Sequence, residues 1–157
     1  MSEQLMTDEK KHEQWMLHAF DLAEKAKSLG EVPVGAVIVH DNTVIGEGWN
    51  QPIGLNDPTA HAEIQAIRAA CQTIGNYRLP EADLYVTLEP CPMCAGAIVH
   101  ARLARVIYAA DDPRTGAAQS AFDLLDNDKL NHRCEVIRGI EQERASMMLK
   151  TFFRARR

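Results

Sequence analysis

At 157 residues, with 46% hydrophobic and 25% charged residues, the chain has the composition of a soluble globular protein that can bury its own core, and it reads as one domain over 1–157. No apolar run approaches the ~20 residues that span a bilayer, and Met1 to Lys11 is polar rather than leader-like; we expect no membrane association and a reduced, cytoplasmic protein. The formal net charge of −5 argues weakly against nucleic acid as a partner, but Lys150, Arg154, Arg156 and Arg157 put four positive charges in the last eight residues and leave −9 on the remainder. Such a basic end is either a phosphate-binding footprint or the complement of a helix dipole, and composition alone does not choose between them.

In chain order, Trp15, Ala19, Leu22, Ala23 and Ala26 recur at helical spacing and predict an amphipathic helix over 8–29, closed by Gly30. His12 and His18 have no companion ligands nearby and are expected at its surface or boundary. Val34 to His40 and Val44 to Trp49 flank the turn residues Asp41-Asn42 and predict a hairpin. Gly46 and Gly48 do not make a nucleotide loop, since the third glycine and the following helix are missing; they fit a bulge or close backbone approach. Asp57 and Pro58 look like the N-cap and first position of a helix running to about residue 72 or 73. Ala82 to Leu88 predicts a strand, stopped by Pro90 and Pro92, which open another helix with Cys91 near its N-cap. A strand over 105–110, a polar loop over 111–119, a short helix over 120–125, a strand over 134–138 and a helix over 140–153 complete the chain. Strands alternating with helices, begun by a hairpin, predict a three-layer α/β/α sandwich around a five-stranded mixed sheet.

The chemistry lies in His61-Ala62-Glu63, followed after 26 residues by Pro90-Cys91-Pro92-Met93-Cys94. One imidazole and two thiols are three donors of the type zinc takes, and a catalytic zinc site keeps its fourth position for water. Glu63 is then a carboxylate beside a ligand, free to move protons. Glu89, next to Pro90, is the rival proton carrier. A spacing of two is awkward on a helix, so His61 and Glu63 share a site only if it lies at the helix N-terminus. A bare Cys-x-x-Cys also fits a redox pair or a structural zinc site. A redox pair would not need the His-x-Glu, and a structural site wants a fourth protein ligand. Cys71, ten residues past His61 on the same helix, lies about 15 Å away along the axis; spacing does not exclude Cys134 or His132.

The same residues, with Glu31-Val32-Pro33-Val34-Gly35-Ala36, Gly46-Glu47-Gly48-Trp49-Asn50, Asp57-Pro58-Thr59-Ala60, Thr87-Leu88-Glu89 and 150–157, resemble the zinc-dependent nucleoside deaminase superfamily. More closely, they resemble its TadA-type tRNA adenosine deaminase family, from about Trp15 onward. The resemblance implies a cytidine deaminase-like fold and one zinc per chain on His61, Cys91 and Cys94, with Glu63 as catalytic proton carrier. It implies hydrolysis of adenosine to inosine at the wobble position of a tRNA anticodon loop, with release of ammonia, and a homodimer. It places Asn50 against the target nucleoside, Asp112 in the loop near it, and Phe153, Arg154 and Arg157 on flanking RNA. On the residues alone Phe152 and Phe153 read as core-facing aromatics of the last helix, and base stacking enters only through the resemblance. Two other functions stay open on the residues: a deaminase of a free base or nucleoside, such as guanine or cytidine, and a non-catalytic zinc-stabilised RNA-binding module.

Overall fold

The computed structural model describes residues 7–156. The elements are α1 (Asp8–Ser28), β1 (Gly35–His40), β2 (Thr43–Trp49), α2 (Pro52–Leu55), α3 (Ala62–Ile74), β3 (Asp83–Leu88), α4 (Pro92–Ala101), β4 (Arg105–Ala110), β5 (Glu135–Arg138) and α5 (Gln142–Arg154). The five strands form one sheet in the order β2-β1-β3-β4-β5. Pairing is antiparallel from β2 to β1 and from β1 to β3, then parallel through β4 and β5. This is the expected mixed sheet.

Both sheet faces are covered, and the strand period of two assigns residues to each. Ala36, Ile38, Leu84, Val86, Val106 and Tyr108 pack in one core with Ala62, Ala66 and Ala70 of α3 and Ala95 and Ile98 of α4. Val37, Val39, Tyr85, Ile107 and Ala109 face the other way, against Met16, Ala19 and Phe20 of α1 and Ala145 of α5. Three layers result. Among the described residues, no helix is long and apolar enough to cross a membrane.

The hairpin turn is as expected. Asp41 and Asn42 both have positive φ, at 51° and 59°, which matches the tight two-residue turns that follow strand twist. Gly30 likewise closes α1 with a left-handed φ of 79°. Gly46 and Gly48 permit close approach: a Cβ on Gly48 would stand 2.1 Å from the Ala62 carbonyl oxygen and 2.5 Å from the Ala66 nitrogen. The start of α3 therefore rests directly on the β2 backbone. Gly48→Ala is expected to destabilise by roughly 1–3 kcal/mol or more, since the obstacle is backbone and cannot swing aside. Thermal unfolding should show the midpoint lowered by about 2–4 °C per kcal/mol.

Three expectations are corrected. The helix after the hairpin begins at Ala62, with His61 as its N-cap, rather than at Pro58. Asp57 instead turns its carboxylate onto the Thr59 nitrogen (2.9 Å) and hydroxyl (2.7 Å), which closes a local turn and leaves nothing for a helix. The stretch 120–125 is irregular rather than helical, because the Ala121 and Phe122 nitrogens donate back to the Gly116 carbonyl oxygen and the Leu124 nitrogen to that of Ala117, none of them helical partners. His12 is buried rather than at the surface, its Nδ1 2.7 Å from the Tyr85 hydroxyl. The short α2, which begins at Pro52, was not expected.

Candidate metal centre and active site

The site gathers at the carboxyl ends of β2, β3 and β4 and the amino end of β1, whose flanking residues line one crevice. His61 is the N-cap of α3, with φ −71° and ψ 157°, and Cys91 is the N-cap of α4, with φ −78° and ψ 173°. Both residues are thus extended, and each precedes the helix it caps. This resolves the awkward spacing: His61 leaves the chain before helical geometry begins, whereas Glu63 leaves from the first turn. Two helix N-termini face the same point, and their dipoles favour negative charge there.

The His61 Nδ1 lies 3.6 Å from Cys91 Sγ and 3.5 Å from Cys94 Sγ. Ligand atoms on a tetrahedral ion with bonds of about 2.0–2.3 Å stand roughly 3.6 Å apart. The three donors therefore fit zinc in both chemistry and separation. They form the metal-competent cluster among the described residues. Cys134 and His132 do not join it, since the Cys134 thiol donates to the Leu103 carbonyl oxygen and the His132 ring bonds the same oxygen. Within the cluster the Cys94 thiol bonded to Cys91 draws the Cys91 thiol down to about 4, while the same contact raises Cys94. The bond to Cys91 raises the His61 imidazole against the effect of its burial.

Glu63 is buried, and burial pushes its carboxyl up to about 7. It lines a cavity of ≈ 140 Å³ with His61, Cys91 and Asn50. Val32, Val34 and Leu88 supply apolar walls, and Glu89, Asp112 and Thr115 complete the lining. The volume is below the ~300 Å³ at which drug-sized pockets begin, so it suits one planar base rather than a whole nucleotide. Asn50 Oδ1 accepts from the Ala62 nitrogen at 2.9 Å, capping α3 and turning the amide donors away from that helix. Asp112 holds its own loop, accepting from the backbone nitrogens of Arg114 and Thr115 and from the Thr115 hydroxyl. Glu89, the rival proton carrier, has both oxygens occupied by donors from the loop over 112–120.

A second, wider depression of ≈ 660 Å³ lies between that loop and α5, lined by Arg114, Leu149, Lys150, Phe153, Arg154 and Arg156. Phe152 is buried and Phe153 is 48% exposed, so one aromatic serves the core and the other faces the groove. Arg156 stacks on Phe152 and donates to the Gly30 carbonyl oxygen, which ties the chain end to the turn after α1. Arg157 lies outside the described residues. Arg114 and Thr115 were missed by sequence reasoning; the polar run with Pro113 and Gly116 marked a loop but not which side of it met the cavity.

A model of the MafB19-like deaminase family matches residues 10–157. A tRNA-specific adenosine deaminase of Haemophilus influenzae is 53% identical over 146 residues, covering 92% of this chain and 84% of that protein. A solved structure from biochemical and structural studies of A-to-I editing by tRNA:A34 deaminases at the wobble position of transfer RNA is 46% identical. It has a TM-score of 0.81 and covers 83% of this chain and 95% of its own. The guanine deaminase of Bacillus subtilis is 48% identical with a TM-score of 0.62, over 71% of each chain.

Proposed function

The chain belongs to the MafB19-like deaminase family, together with the tRNA-specific adenosine deaminases, and from that premise we propose that it hydrolyses adenosine to inosine at the wobble position of a tRNA anticodon loop. The observation that carries an RNA substrate over a free base is the basic groove beside a cavity that takes one base. An unpaired loop base can be splayed into such a cavity at less cost than a paired one, while its neighbours stay outside.

In this reading His61, Cys91 and Cys94 hold one zinc per chain, and 1–157 is a single deaminase domain. Zinc, when bound, supplies a Lewis acid that brings the pKa of water toward neutrality. Glu63 moves the protons: it takes one from the attacking water and gives it to the ring nitrogen beside the amino-bearing carbon, then takes the remaining hydroxyl proton of the adduct and gives it to the leaving amine. Water oxygen is gained at that carbon and ammonia is lost. Asn50 offers amide donors to the base or sugar, and the apolar walls of Val32, Val34 and Leu88 keep bulk water out. Asp112 borders the entry, Phe153 offers a face for a flanking base, and Arg154, with Arg157, meets phosphates. The exposed Ile53 and Leu55 of α2 support a homodimer, and a Cys-x-x-Cys pair used as metal donors, with Cys71 and Cys134 outside any disulfide, supports a reducing, cytoplasmic setting.

The identity shared with a guanine deaminase favours one other reading, a free-base enzyme. Inosine formation from an adenosine-bearing anticodon stem-loop should be compared with ammonia release from free adenosine, cytidine and guanine at several salt concentrations. We expect turnover of the stem-loop alone, falling as salt rises. Rapid, salt-insensitive turnover of free guanine would overturn the RNA assignment. Arg154→Ala should weaken RNA binding with a salt slope reduced by about one, the mark of one lost phosphate contact.

A further inference from the structure

Glu89 is buried, immediately before Pro90 and two residues before Cys91, and among the described residues its carboxylate does not pair with a cation. Its Oε1 accepts from the Asp112 nitrogen at 3.0 Å and from the Ser120 hydroxyl. Its Oε2 accepts from the backbone nitrogens of Ala118 at 3.1 Å, Gln119 at 2.9 Å and Ser120 at 2.9 Å. Five donors from one loop thus converge on one side chain, and the next residue adds a sixth tie, from the Ala117 nitrogen to the Pro90 carbonyl oxygen at 2.7 Å. The loop closes so tightly over the carboxylate that a Cβ on Gly116 would fall 2.3 Å from Glu89 Cδ and 2.5 Å from the Asp112 carbonyl oxygen.

This loop has no helix or strand of its own. It presents Asp112 and Thr115 to the base-sized cavity and Arg114 to the basic groove. Backbone held by a buried carboxylate is ordered before substrate arrives, so RNA need not supply the ordering. We propose that Glu89 is a positioning residue for RNA: it shapes the 112–120 loop so that the cavity wall and the Arg114 side of the groove keep one fixed relation. The proposal rests on the reading of the site as an RNA adenosine deaminase. It assigns Glu89 to substrate engagement, leaving proton transfer to Glu63.

The test is steady-state kinetics on the adenosine-bearing anticodon stem-loop for wild type, Glu89→Gln, Gly116→Ala and Ser120→Ala, with zinc content and thermal midpoint measured for each. Glu89→Gln presents an amide to N–H donors, Gly116→Ala displaces the carboxylate from the loop side, and Ser120→Ala removes one donor of five. The first two should raise KM about tenfold or more with kcat within about threefold, and Ser120→Ala should raise KM less. Zinc content should match wild type, and the salt slope should fall by about one as Arg114 leaves its place. A collapse of kcat in Glu89→Gln with KM unchanged would make Glu89 a proton carrier and overturn the proposal. Unchanged KM in Glu89→Gln, or loss of zinc from it, would overturn it equally. The wild-type arm reads the substrate separately: no turnover of the stem-loop would overturn the RNA reading, and this proposal with it.

Discussion

Turnover by a Glu63→Gln variant is expected to fall by at least about a hundredfold while zinc content and RNA affinity stay at the wild-type level. The substitution keeps the size of a side chain that is only 4% exposed, so packing at the start of α3 is preserved. What is lost is a group that can both take and give a proton. Because a buried carboxylate costs stability unless it is paired, the neutral amide should leave the thermal midpoint unchanged or slightly raised. That combination separates proton transfer from folding, metal retention and binding, since each would fail differently. Glu89 is poorly placed to substitute, its oxygens being bonded to the loop over 112–120. Single-turnover measurements on the adenosine-bearing stem-loop, with metal analysis and a binding assay on the same preparation, check the result. Normal turnover would show that another group carries the proton.

Much of this architecture was legible in the chain because its signals are local. The β-branched runs of β1, β3 and β4 are buried on both faces, so they read as continuous apolar strands, and Asp41-Asn42 between two such runs announces a hairpin. The His61, Cys91 and Cys94 cluster was legible for a chemical reason: one imidazole and two thiols near helix starts are donors of the type a metal takes. What failed was long-range. Asp57-Pro58 has the local marks of a helix start, but Asp57 turns on Thr59 while α3 is capped by Asn50, twelve residues before Ala62. No local pattern encodes a cap from that distance. The stretch 120–125 has helical composition, but its N–H groups fold back on the Gly116 and Ala117 carbonyls of a loop that is itself gathered by Glu89, some thirty residues earlier.

The site was legible as a set of residues but not as a geometry. His61 and Glu63 share it because the helix begins between them, a boundary that shifts by several residues from the one expected. The burial of Glu63 was not legible: it follows from α3 being pressed so hard onto Gly46 and Gly48 of β2 that its first turn is covered. The groove beside the cavity needed the tertiary structure, because it is made by Arg114 of a loop and Lys150, Phe153 and Arg154 of a helix far along the chain.

Cys94→Ala should bind no zinc and show no deamination above background, whereas Cys134→Ala should keep both. The two residues are of one type and both buried, at 0% and 2% exposure, so loss of a buried thiol is matched between them. They differ in what the sulfur meets. Cys94 is 3.5 Å from the His61 ring, in the three-donor cluster, and Cys134 donates to the Leu103 carbonyl oxygen. Removing one of three protein donors leaves too few to hold zinc against water, whereas removing the Cys134 thiol costs roughly 1 kcal/mol of packing and hydrogen bonding. Chelation sharpens the contrast. Metal that binds only the folded chain stabilises it, so a strong chelator should lower the thermal midpoint of wild type and of Cys134→Ala. The midpoint of Cys94→Ala should not respond, because that variant has no metal to lose. Full zinc occupancy in Cys94→Ala, or a chelator-induced shift equal to that of wild type, would remove the His61, Cys91 and Cys94 assignment and leave the cluster without its metal.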